Sequence, residues 1–419
     1  MNGSFGRQRV VALLGGLATM TLAQPVCADT APAFAALLKQ AEQSPRIQEL
    51  DADVDRAAGL AEQARARPNP SANIYAENFA GSSPYGGFDR SETTVQLSQP
   101  FELGGKRSAR IAAGEAGITA ARARGHQGRV AYAYELARAY AAVELADRRI
   151  SIAEDEVEEG EADLKLARAL VAAGKEARLR ALQAETELNA ARAVLEGTRA
   201  TRTAALARLS ALAGVEVPFT GVTESLLDQA TARTGYGPVD PQQNAGYLAA
   251  LADRDAAVRR AASERKRTIP DVAGQIGVRR LEGDHATALV AGVSVPLRLF
   301  DRNRGNIAAA QAEVRNADAK AAAARLEAAA TARSAVALAD ASEARVAAAR
   351  RTMATAEESY RLSRIAYEAG KSPLSELLVA RHGLGAARGV LADAAAARFE
   401  ARAQLASLNG LAITGDPVQ

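Results

Sequence analysis

The sequence predicts a mainly α-helical protein with a small β part, made of long coiled-coil helices and built as two internal repeats. Three observations predict it: matches at a fixed offset, a sustained seven-residue apolar period, and two proline-bounded stretches of alternating character. Pro100 matches Pro296, Ala173-Gly174-Lys175 matches Ala369-Gly370-Lys371 and Val194-Leu195 matches Val390-Leu391, all 196 residues apart. Upstream, Pro70 aligns with Pro270 at an offset of 200, so one intervening segment differs by four residues. The expected layout is an export signal at 1–28, a first repeat at 29–219, a linker at 220–241, a second repeat at 242–412 and a tail at 413–419.

The leading segment carries Arg7 and Arg9, then an apolar stretch from Val10 to Leu22, then Val26-Cys27-Ala28 as a small-residue cleavage site. Cleavage after Ala28 removes the one cysteine of the chain, so neither disulfides nor thiolate metal sites are expected. An acylated Cys27 is the competing reading, but Gln24 and Val26 stand where leucine and a small residue would be needed. No later segment offers the roughly 20 apolar residues of a spanning helix. The mature chain is therefore expected to be soluble or to enter a membrane as a β-barrel.

The first β segment, Asn69 to Phe101, holds the alternating run Thr93 to Ser98 and a turn cluster from Gly81 to Gly87. The second, Pro270 to Pro296, alternates at Val272, Gly274, Ile276 and Val278, and again at Leu289, Ala291, Val293 and Val295, about a polar turn at Glu282 to His285. Arms of about ten residues are the length of a transmembrane strand. A lone hairpin is marginal in water, and four strands cannot close a barrel. Two copies would give eight strands, whose interior fills with side chains, so an open lumen requires at least three.

The helices carry a heptad. Leu136, Val143, Ile150, Val157, Leu164 and Val171 recur every seventh residue, and three positions after each stands Ala139, Ala146, Ala153, Gly160, Ala167 or Gly174. Val346, Met353, Tyr360 and Tyr367 repeat this against Ala349, Ala356, Ser363 and Gly370. A strict seven-residue period imposes left-handed supercoiling, and the small partners let helices approach closely. The stretch from Arg107 to Gly174 predicts a rod of about 100 Å. Interior glycines such as Gly114, Gly125, Gly128 and Gly160 cost about 1 kcal/mol each, so packing must offset them.

Composition narrows the function. Of the 419 residues 48% are hydrophobic but only 4% aromatic, and Lys+Arg 52 nearly balances Asp+Glu 49, which excludes disorder and disfavours nucleic acid binding. Gly370-Lys371-Ser372 resembles the end of a phosphate loop, but Ile365 stands where the required glycine should be. His126, His285 and His382 lie far apart without a ligand pattern, so no metal site, cofactor or enzyme activity is expected. The remaining rival, a periplasmic coiled-coil adaptor or scaffold protein, would not need two proline-bounded hairpins at matching places.

The strand-to-helix junctions carry a resemblance. Gln99-Pro100-Phe101-Glu102-Leu103-Gly104-Gly105-Lys106-Arg107 and its counterpart Val295 to Gly305, together with the duplicated halves and heptads, resemble TolC-type outer membrane factors, closest to their CzcC-like heavy-metal branch. The resemblance implies a homotrimer in outer membrane lipid with a 12-stranded transmembrane β-barrel and an α-barrel tunnel crossing the periplasm. It further implies the exit duct of a tripartite efflux system, docked to a periplasmic membrane fusion (adaptor) protein and an RND-type inner-membrane transporter, and exporting heavy-metal cations or, alternatively, organic toxicants. Docking would fall at the helical tips, on Leu166, Arg168, Gly174 and Lys175 and on Leu362, Arg364, Gly370 and Lys371. Of the two acids that often close such a tip, the first corresponds to Glu376 and the second to Val379; the repeat partner of Glu376 is Arg180, which makes Arg180 and Glu376 a candidate salt-bridged gate. The acidic run Glu154-Asp155-Glu156, Glu158-Glu159 and Glu161 reads as a solvated face, or as a lumen face if the tunnel wall places it there.

Overall fold

The computed structural model describes residues 29–229 and 239–418; the expected export signal with Cys27, much of the linker and Gln419 lie outside them. In chain order the elements are α1 (Phe34–Gln40), α2 (Pro45–Arg65), β1 (Ser71–Glu77), β2 (Glu92–Phe101), α3 (Lys106–Ala172), α4 (Arg178–Ala213) and α5 (Leu226–Gln229). The second half follows as α6 (Ala245–Lys266), β3 (Val272–Leu281), β4 (Ala286–Ser294), α7 (Arg304–Glu368) and α8 (Leu374–Leu408). The 67-residue α3 and 65-residue α7 are the expected rods, each about 100 Å long.

Each rod carries the chain from the sheet to a far tip and is lined by shorter helices in series. α2 and α6 pack on α3 near the sheet and α4 packs on it toward the tip, while α7 packs against α6 and then α8. α8 also packs on α3 and so joins the two halves. The small heptad positions are where this happens: Ala139, Ala146, Ala153, Gly160 and Ala167 are all buried. On the side of α3 that faces α2, Gly114 leaves no room for a side chain, since an added Cβ would lie 3.0 Å from the Ala61 Cα. The glycine cost inside α3 is thus the condition for close approach of α2.

The largest apolar core sits beside the middle of α3, about 45 Å from either end of the rod. Leu136, Tyr140 and Val143 meet Phe34, Leu209 and Leu227 there, with the Phe34 ring edge-on to Tyr140 at 6.1 Å. The segment after α4 is pinned through its backbone: Tyr140 Oη accepts from the N–H of Thr223 and Glu224 at 3.2 Å, and the Glu144 carboxylate accepts from that of Leu227 at 3.0 Å. The N-terminal stretch adds a parallel bridge between Ala31 and Val222.

The four strands form one antiparallel sheet in the order β1-β2-β3-β4. β2, β3 and β4 have the expected length, but β1 has only seven residues, bounded by Pro70 and by Asn78 at φ 58°. Pro100 does not end its strand: the ladder to β3 continues to Phe101, whereas that to β1 stops at Ser98, two residues before the proline. Both junctions reverse through left-handed backbone, at Gly104 and Gly105 in the first half and at Asn303 in the second, whose N–H is capped by Asp301 Oδ1 at 2.8 Å. A Cβ on Gly104 would lie 2.1 Å from Ile269 Cδ1. Gly104→Ala is therefore expected to lower thermal stability in detergent by more than the ~1–2 kcal/mol of an L-residue in that conformation. Gly59→Ala, on an open face of α2, should raise it by about 0.5–1 kcal/mol, and a heat-denaturation series compares the two.

Candidate functional site

The sheet has two unlike faces. Strand partners lie on the same side, so the register places Ile74, Val95, Val278 and Leu289 in one row and Ala72, Leu97, Ile276 and Ala291 in the next. All of these large apolar side chains are exposed, Leu289 by 84%. The opposite face carries Asn73, Tyr75 and Glu77, then Glu92, Thr94, Gln96 and Ser98, then Gln275 and Arg279. Arg279 is held there by Glu92 at 2.8 Å, Glu77 at 3.4 Å and Thr94 Oγ1 at 3.0 Å. An apolar exterior opposite a polar interior is the alternation of a barrel strand in lipid. Among the described residues no helix is long and apolar enough to cross a membrane.

At the other end the two turns are near copies. Gly174 and Gly370 both sit at φ 70°, and in each turn the following lysine N–H reaches back five residues: Lys175 to Leu170 O at 2.9 Å and Lys371 to Ala366 O at 2.8 Å. This pattern needs a left-handed residue after the helix and satisfies the carbonyls the helix leaves open. Leu164, Ala167, Ala184 and Leu188 from one hairpin pack with Tyr360, Tyr367, Leu374 and Leu377 from the other, so the tips stand side by side. Leu166 is half-buried against this cluster, while Leu362 is exposed. Arg168 pairs with Glu185 at 3.2 Å and Arg364 with Glu368 at 3.1 Å; Lys175 and Lys371 are exposed. Arg180 and Glu376 are not joined within one chain: Arg180 lies 3.9 Å from Glu176 and donates to Gln183 at 3.1 Å, and Glu376 is exposed in the first turn of α8.

Behind the tip lies a site that sequence reasoning missed. Asp163 of α3 and Arg381 of α8 meet at 3.0 Å with side chains only 3% and 5% exposed, the most deeply buried ion pair among the described residues. Two turns further along α8 from the tip, Arg388 lies 3.3 Å from Glu159 and 3.6 Å from Asp155. Burial pushes the Asp163 and Glu159 carboxyls above the ordinary range, with Arg381 and Arg388 opposing. The Tyr360 hydroxyl is pushed up to about 12, chiefly by burial and then by Asp163 and Glu159. Glu159 Oε2 and Tyr367 Oη are buried without a hydrogen-bond partner. The acidic run is thus more than a solvated or lumen face: besides these contacts, Glu154 pairs with Arg199 at 3.4 Å and Glu161 with Arg192 at 2.7 Å. The signal was present in α8, where Leu374, Leu377, Arg381, Leu384, Arg388 and Leu391 follow alternating steps of three and four, so two arginines occupy seam positions.

Long helical rods carrying a sheet with one exposed apolar face define the class as a membrane protein of the β-barrel type. The family model for outer membrane efflux protein matches residues 37–215 and 242–411, and the chain belongs to that family. Among curated relatives, the nickel-cobalt-cadmium resistance protein NccC of Alcaligenes xylosoxydans xylosoxydans is 41% identical over 313 residues, 74% of this chain and 71% of that protein. The nickel and cobalt resistance protein CnrC of Cupriavidus metallidurans is 41% identical over 300 residues, 71% of each chain. Among solved structures, the outer membrane protein VceC of Vibrio cholerae has a TM-score of 0.76 at 21% identity, covering 90% of this chain and 96% of its own. CusC, described by its conformational changes on folding and transmembrane channel formation, has a TM-score of 0.76 at 18% identity, covering 90% and 92%. The protein is an outer membrane efflux channel.

Removing one member of the buried pair leaves the other uncompensated. Arg381→Met is expected to destabilise the assembled protein by about 3–5 kcal/mol, and adding Asp163→Leu to restore most of it, as read from unfolding in denaturant. Because the Asp163 carboxyl holds its proton more tightly folded than unfolded, its contribution is complete below the unfolded value and lost as pH rises through the raised folded one. Asp163→Asn should flatten that slope just above the usual carboxylate range, which the unfolding midpoint measured against pH will register.

Proposed function

We propose that three copies of this chain close a twelve-stranded cylinder through the outer membrane and continue it as a helical duct, which carries heavy-metal cations out of the cell. The observation that carries this reading is the sheet itself. β1 and β4 each have a strand neighbour on one side only, and backbone groups facing lipid must be paired, so the sheet requires further copies of itself. The polar face then lines the lumen, with Arg279, Glu77 and Glu92 at its outer end. The cation assignment rests on the relatives, named for resistance to nickel, cobalt and cadmium, to nickel and cobalt, and to cobalt, zinc and cadmium.

Family membership implies association with an adaptor and an inner-membrane transporter, and the tips are the docking ends. Leu166, Arg168, Gly174 and Lys175, with Leu362, Arg364, Gly370 and Lys371, present the adaptor with two similar turns per chain, giving six quasi-equivalent sites in a trimer. In this reading Arg180 and Glu376, unpaired with each other within one chain, pair between neighbouring chains and narrow the opening there. The duct takes its specificity from the transporter that feeds it.

Deleting the gene is expected to raise sensitivity to nickel, cobalt, cadmium or zinc, and complementation should restore resistance; sensitivity to organic toxicants alone would replace the cation by an organic cargo. The purified protein should migrate as a heat-labile trimer and conduct in planar bilayers. Leu362→Asp, on an exposed side chain, should abolish resistance at unchanged trimer level and conductance, and full resistance in that variant would remove the tips from docking.

A further inference from the structure

The ring where the sheet gives way to helices combines two features that neither the duct nor the tips use. Apolar side chains continue past the last ladder residue of β4: Val295, Leu297 and Leu299 follow the sequence alternation of Leu289, Ala291 and Val293 and are exposed, the chain turns where the Leu299 N–H donates to Leu297 O at 3.1 Å, and the adjacent Phe300 is 98% exposed. Phe101 and Leu103 are exposed at the first-half junction. Cations follow directly. Arg302 and Arg304 stand two and four residues beyond Phe300, Arg265 and Lys266 close α6, and Arg67 lies between α2 and β1.

The junction after β4 and the end of α6 are tied into one patch. Arg298 donates to Ile269 O at 3.2 Å, and the Asn303 amide donates to Glu264 O and Oε2, both at 3.0 Å. The acids of the patch are engaged: Asp271 by Lys106, Glu102 by Arg110, Glu264 by Arg267 at 2.9 Å, and Asp301 by the Asn303 N–H. Arg67, Arg265, Lys266, Arg302 and Arg304 are exposed and have no carboxylate within ion-pair distance among the described residues. An apolar band edged by unmatched cations and continuous with a membrane face fits the level at which acyl chains meet phosphate headgroups.

We infer that this collar binds anionic phospholipid of the periplasm-facing leaflet, with phosphate on Arg302, Arg304, Arg265 and Lys266 and acyl chains against Leu297, Leu299 and Phe300. The inference takes the membrane-facing sheet as given and is independent of cargo. The test titrates the purified full-length protein in mild detergent with short-chain phosphatidylglycerol or phosphatidylcholine and counts bound lipid by native mass spectrometry. Phosphatidylglycerol should bind more tightly, and Arg302→Gln with Arg304→Gln should weaken it about fivefold per arginine while leaving phosphatidylcholine unchanged. Arg361→Gln, on an exposed face of α7, should change neither. Phe300→Ser, a milder change in case the double variant fails to assemble, should weaken both lipids alike. Equal affinity for the two lipids, or an anionic preference that survives neutralisation of all four cations, overturns the assignment. So does displacement of phosphatidylglycerol by inorganic phosphate at equal concentration, which would mark a free-anion site. Bilayer conductance of the same preparation reports on the channel separately.

Discussion

The structure depends on one constraint: an amide or carbonyl that faces hydrocarbon must find its partner in protein. A four-stranded sheet satisfies its inner ladders and leaves the outer sides of β1 and β4 open. In water such edges would be hydrated at little cost; in lipid each unpaired group costs several kcal/mol. The apolar face from Ile74 to Leu289 makes lipid the relevant solvent, so the requirement for more copies follows from the alternation pattern. In the proposed trimer the rods continue the ring that the strands begin.

Away from the membrane a different economy applies. The rods are too long and too thin to hide a thick core, and their seams use alanine and glycine to bring helix axes together. Dispersion over a large contact area takes the place of bulky side chains, with one apolar knot midway, at Leu136, Tyr140 and Val143, where the N-terminal stretch and the segment after α4 strap the bundle. Near the tip the filling changes from apolar to ionic. Buried pairs of this kind add little net stability over apolar residues of equal size, but they penalise misalignment heavily, so Asp163 and Arg381 fix the register of α3 on α8 more than they strengthen it.

Much of this was legible in the sequence, because period and offset are global signals. The rods, the two hairpins, the turn glycines and the resemblance came from features repeated 196 or, upstream of Pro100, 200 residues apart, and the fold and family agree with them. What stayed hidden was non-local or local to a single repeat. The acidic run on α3 looks like a solvated stripe until α8 is laid against it, and Arg381 and Arg388 are unremarkable without the seam that contains them. The short β1 was missed because a turn residue at positive φ, Asn78, ended the strand early. The contact of Arg180 with Glu176 was not legible because Glu176 lies in the turn before α4, where no periodic pattern reaches it.

The charged seam also breaks the equivalence that duplication created. At the repeat offset Asp163 corresponds to Ser359 and Glu159 to Thr355, while Arg381 corresponds to Glu185 and Arg388 to Arg192. The face that α7 would offer in the same role has lost both acids, and the face of α4 has lost the arginine at the position of Arg381. Two hairpins of nearly identical outline therefore carry different keys, and only α3 with α8 form a matched lock. In the proposed trimer the α3–α8 joint inside each chain is fastened by these pairs, and the joints between chains would have to hold without their counterpart, so a loosening of the mouth would begin between chains.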